Sequence, residues 1–187
     1  MAEPDRRLRF GRDDTGPVLD EMRAMTRAAR GWINFEPEVP EDAEVPGVGL
    51  FSFMSARGPS IPLCTWVPEG QGRRQKGTPP SLGVQHPSGV KAAARLAERG
   101  LPLPAGWRVT QDHPKRGLVV SVANPRPVPP GASAFPGTGA GGAREASAGG
   151  AGADEAAMLE WLLRAGELLS VVPPTGIWNA AVYLSGA

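Results

Sequence analysis

A single cysteine, Cys64, stands in 187 residues, which excludes an intramolecular disulfide and a zinc cage built from cysteines. Long apolar runs are missing too: the longest are strand-length pieces such as Leu118 to Val122, far short of the roughly 20 residues that a membrane-spanning helix needs. Neither sign of charge dominates. A formal net charge of +1 leaves no broad basic field to hold a phosphate backbone, so general nucleic-acid binding is not expected. The opening Met1-Ala2-Glu3-Pro4-Asp5 lacks a secretory pattern. These absences point to a cytoplasmic protein with no membrane association, and no residue pattern calls for a cofactor.

Glycine and proline are abundant, at 25 and 21 residues, and they are concentrated locally. From Asn124 to Ala153, 21 of 30 residues are Gly, Ala or Pro. Ordering such a segment costs more backbone entropy than its few apolar side chains can return. The expected organisation is a flexible arm over residues 1–16 and a single α+β domain over 17–187, interrupted by a disordered insertion at 124–153.

Within the domain, Val18, Met22, Met25 and Ala29 recur at helical spacing after Pro17. Residues 36–44 hold five acids and two prolines and read as a solvated loop. Leu50 to Met54 and Ile61 to Val67 read as a hairpin around Ala56-Arg57-Gly58-Pro59. Ser81 to His86 then predicts a strand. A helix follows from about Val90 to Arg99, with Ser88 as its cap. Strands are expected at Arg108 to Asp112 and Gly117 to Val122, a helix capped by Asp154 and stopped by Pro173-Pro174, and a last strand at Trp178 to Leu184. From Ser81 onward the order is βαββαβ, that of a ferredoxin-like two-layer sandwich, here with an added N-terminal helix and β-hairpin.

That topology would bring both His-Pro pairs to one rim. His86, Ser88 and Gly89 enter from the first helix, and Asp112, His113, Lys115 and Arg116 from the hairpin, with Thr175 and Gly176 on the same side. Backbone N–H groups at a helix start, with Lys115 and Arg116 beside them, describe an anion site. Ser88, Gly89, Lys115 and Arg116 are therefore its candidate ligand residues. His86, His113 and Asp112 are the candidates for acid/base chemistry, since imidazole titrates near neutrality. Their spacing matches no metal-binding motif. Arg116-Gly117-Leu118-Val119-Val120 opens like the third strand of an RNA-recognition domain, but aliphatics replace the stacking aromatics.

The leading expectation is a small, non-catalytic binding or interaction module for a protein partner or a small anionic ligand. The alternative is a small hydrolase or transferase acting on an anionic substrate with a histidine acid/base. Met158, Leu159, Trp161, Leu162, Leu163, Leu168 and Leu169 leave only a narrow polar stripe on the last helix. Its cover is either the N-terminal helix and the added hairpin or, in a homodimer, a second subunit.

Overall fold

The computed structural model describes residues 3–44, 58–70, 78–89, 91–122 and 154–184. Seven strands and three helices alternate along them: β1 (Arg6–Gly11), α1 (Gly16–Ala28), β2 (Trp32–Pro37), β3 (Leu63–Val67), β4 (Ser81–Gln85), α2 (Ala92–Glu98), β5 (Trp107–His113), β6 (Gly117–Val122), α3 (Glu155–Leu169) and β7 (Ile177–Tyr183). All the strands join one antiparallel sheet in the order β1-β7-β2-β3-β4-β6-β5.

This overturns the four-stranded ferredoxin-like arrangement. In that fold the last strand lies beside the first. Here β2 and β3 stand between β4 and β7. The reason lies in Trp32–Pro37, where Ile33, Phe35 and Pro37 are buried while Trp32, Asn34 and Glu36 are not. That alternation buries one face of a strand, even though prolines and acids dominate the residues that follow. The first residues also depart from a loose arm. Arg6–Gly11 pairs with β7 along its whole length, and Phe10 enters the core. Leu63–Val67 pairs with β2 and β4, whereas Leu50 to Met54 and the insertion at 124–153 lie outside the described residues.

Strand alternation segregates the two sheet faces. One row in register runs Ala180, Phe35, Cys64, Val84, Leu118, and all five are buried. The helices pack on this face and share one core with it. The neighbouring row, Ala181, Asn34, Thr65, Gly83, Val119, belongs to the opposite face and is only partly buried. That face has no helix over it among the described residues.

The last helix is capped as its sequence dictates, with the Asp154 carboxylate accepting the Ala156 N–H at 3.0 Å. Its residues Met158, Leu159, Trp161, Leu162, Leu163, Ala165, Gly166 and Leu169 are buried against the sheet, α1 and α2. The chain itself therefore covers the apolar circumference that a dimer was invoked to cover. The polar stripe is closed by Arg12, which pairs with Glu167 at 2.7 Å and also with Glu160. No helix among the described residues is long and apolar enough to cross a membrane.

Candidate functional site: a cleft between the second and third helices

β4 directs Leu82, Val84 and then His86 toward the helices, and His86 is fully buried. Gly89, at φ +79°, helps turn the chain after the strand, a conformation glycine adopts without steric cost. The turn brings Ser88 Oγ to 2.6 Å from His86 Nδ1. Burial lowers the His86 pKa, Asp112 opposes the shift and Arg95 reinforces it. A neutral ring accepting the Ser88 hydroxyl proton's hydrogen bond at Nδ1 carries its own proton on Nε2, an atom that is buried and unpaired among the described residues.

Asp112 sits on the same sheet face. Its Oδ2 accepts the Ala93 N–H at 3.3 Å, while Oδ1 is buried without a partner among the described residues. The first turn of α2 is thus partly satisfied by the chain's own carboxylate. The residue that caps α2 is Lys91, at φ +65° and without a side-chain cap bond, not Ser88, whose hydroxyl is committed to His86. The anion site expected at this helix start is occupied from within.

The cationic groups beside Ser88 come instead from farther along α2. Arg95 and Arg99 are four residues apart, which stacks them on one helix face. Arg95 donates to the Ser88 carbonyl and Arg99 to the Leu168 carbonyl at the end of α3. Together with Pro87, Ser88 and residues 168–171 they line a cleft of about 350 Å³. No carboxylate lines it, and neither arginine has an ion-pair partner among the described residues. Each guanidinium has five N–H donors, so both retain donors for a ligand.

The hairpin residues do not join this cleft. His113 ends β5 and is exposed, and its Nδ1 accepts the backbone N–H groups of Lys115 at 3.1 Å and Arg116 at 3.3 Å. It therefore closes its own turn. β6 separates β5 from β4, about 10 Å in strand spacing, and His113 has the sheet-face parity opposite to Asp112. The exposed Lys115 and Arg116 do not line the cleft. Thr175, which leads into β7, hydrogen-bonds the Glu38 carbonyl at 3.2 Å, and β2 and β3 stand between β7 and β4. The structure thus sets the buried His86 behind Ser88, which lines the cleft, with Asp112 near enough to act on the imidazole, and leaves His113, Lys115 and Arg116 apart. Arg95 and Arg99 escaped the sequence reading, although their four-residue spacing was the signal for them.

Comparison with protein-family models, with curated proteins and with solved structures returned no significant match.

Proposed function

We propose that the chain is a small binding module whose ligand is an anion held in the cleft between α2 and α3. The observation that carries this reading is the pair of guanidinium groups, Arg95 and Arg99, in a cleft that no carboxylate lines among the described residues. Guanidinium groups match carboxylate and phosphate oxygens in geometry as well as in charge. Titration with inorganic phosphate and with citrate, followed by calorimetry, tests it. Saturable binding that weakens at least about tenfold in the Arg95→Ala/Arg99→Ala double variant is expected, as loss of charge-assisted hydrogen bonds predicts. Absence of binding to both anions, or equal binding by the double variant, would refute the reading.

The 2.6 Å contact between Ser88 Oγ and His86 Nδ1 favours a second reading, a small hydrolase or transferase acting on an anionic substrate. There His86 takes the hydroxyl proton as Ser88 attacks, the arrangement by which a base activates a weak nucleophile. Saturable turnover of an activated acidic ester, lost in Ser88→Ala with folding retained, is the expected result. Equal turnover by the variant eliminates this reading.

A further inference from the structure

The sheet face opposite the helices is hollowed into a cavity of about 420 Å³ whose walls include Arg7, Glu36, Asn179, Gln85 and Ile61. Charges elsewhere along the first strands are paired: Arg6 with Glu21 at 2.9 Å, Arg9 with Glu38 at 2.8 Å and Arg12 with Glu167 at 2.7 Å. Arg7 and Glu36, the cation and the acid that line the cavity, have no side-chain partner among the described residues.

Register fixes their separation. Arg7 pairs with Ala181 and Ala181 with Asn34, two residues before Glu36. Two strand spacings and two residues of rise put the α-carbons about 12 Å apart. Between them the floor includes Ala181, whose methyl group leaves room, and the carboxamides of Asn34 and Asn179, while Gln85 lies beyond Glu36 on β4. Asn34 accepts the Thr65 hydroxyl at 2.9 Å through Oδ1, which leaves its amide hydrogens to donate. Asn179 and Gln85 are exposed and can donate and accept. Ile61 and Leu63 supply an apolar wall.

We infer that this cavity binds a short peptide with both termini free, its carboxylate on Arg7, its ammonium on Glu36 and its backbone amides on the carboxamides. Two or three extended residues span about 7–11 Å, which suits the gap once the two charged side chains reach into it. Amide groups that both donate and accept are what a peptide backbone requires. The charge pair selects a zwitterion over a simple anion or cation, because only a ligand carrying both charges is complementary to both walls.

The test uses the full chain and calorimetric titration with alanyl-leucine, its N-acetyl derivative, its C-terminal amide and free leucine. Saturable binding of alanyl-leucine is expected. Each blocked derivative should bind at least about tenfold more weakly, as should the free peptide to Arg7→Ala and to Glu36→Gln. Both residues are exposed, and unchanged circular dichroism of the variants confirms that they fold. The Arg95→Ala/Arg99→Ala variant should bind the peptide normally, because its substitutions lie on the other side of the sheet. No binding of alanyl-leucine, binding of the blocked derivatives with equal affinity, or equal binding by the folded Arg7 and Glu36 variants would overturn the inference. Equal binding of free leucine would overturn the peptide assignment as well.

Discussion

Gly166 on α3 lies so close to the Trp178 indole that a β-carbon on it would stand 2.7 Å from the ring's Cη2, and 2.9 Å from Cys64 Sγ. Trp178 and Cys64 are themselves fully buried, so neither has open space into which to move. Gly166→Ala is therefore expected to lose about 1–3 kcal/mol, the usual range for overpacking a filled core, despite alanine's better helix propensity. Urea unfolding of the two proteins measures the difference. An unchanged or raised midpoint would refute the close packing.

Arg12 joins the turn after β1 to α3 through Glu167 and Glu160. The guanidinium is 30% exposed and the two carboxylates 25% and 55%, so solvent screens much of the attraction. Arg12→Ala should cost about 1 kcal/mol, near the upper end for exposed pairs, and 0.5 M salt should reduce the gap from wild type. A difference that is insensitive to salt would point to lost packing instead.

His86 gives stability a pH dependence of definite sign. Burial lowers its folded pKa below the ordinary imidazole value, so in acid the unfolded chain binds more protons than the folded one. The contribution is present above about pH 6.5, the ordinary imidazole value, and is lost as pH falls through the folded pKa. Denaturation series at pH 7.5 and pH 5 should show a smaller loss in His86→Gln than in wild type. Equal losses would show that the imidazole is not the group responsible.

The Cys64 thiol is fully buried, lies 3.7 Å from the Leu162 carbonyl, and is pushed by burial well above its ordinary pKa. Only a thiolate reacts readily with a disulfide reagent. In native buffer the thiol should react at the rate of protein opening, and in 6 M urea at that of a free thiol. Rapid native reaction would contradict the burial.

β6 ends at Val122, whose N–H is bonded to the Pro80 carbonyl beside the start of β4, whereas the Ser88 cleft lies past the other end of β4. Removal of residues 126–150, which lie between Val122 and Asp154 of the described chain, is accordingly expected to leave phosphate affinity within about twofold of the full chain, since changes joined to the fold away from a site seldom couple to it. A larger loss on calorimetric titration would make the deleted residues part of binding.

Much of α3 was legible because its signals are local. Asp154 caps, apolar residues follow at helical spacing, and Pro173-Pro174 forbid continuation. The β5–β6 hairpin was legible for the same reason. β1 and β2 were not, because their arginines, acids and proline mask alternation in a single strand. Only pairing with β7, between 141 and 176 residues away in sequence, gives Phe10, Ile33 and Phe35 a common core. Ser88 was assigned in sequence to the start of the following helix, whereas its hydroxyl meets His86. Its hydroxyl looks like a helix cap in sequence, and only the turn at Gly89 shows that it faces His86. The hairpin cations were overweighted because topology alone does not reveal which face of a rim a side chain occupies.

The position of β7 between β1 and β2 also sets the order in which the protein can be completed. Among the described strands, β1 and β2 come earlier in the chain than every other, and their shared neighbour β7 comes later than every other. β7 can enter between them only after residues 177–183 have been made, and until then Phe10, Ile33 and Phe35 lack the neighbours that β7 supplies. Long-range closure of this kind is slow and exposes apolar surface on the way. The nascent β1–β2 segment thus stands to gain from a chaperone, and it acquires its lasting shelter only when β7 slides into the gap.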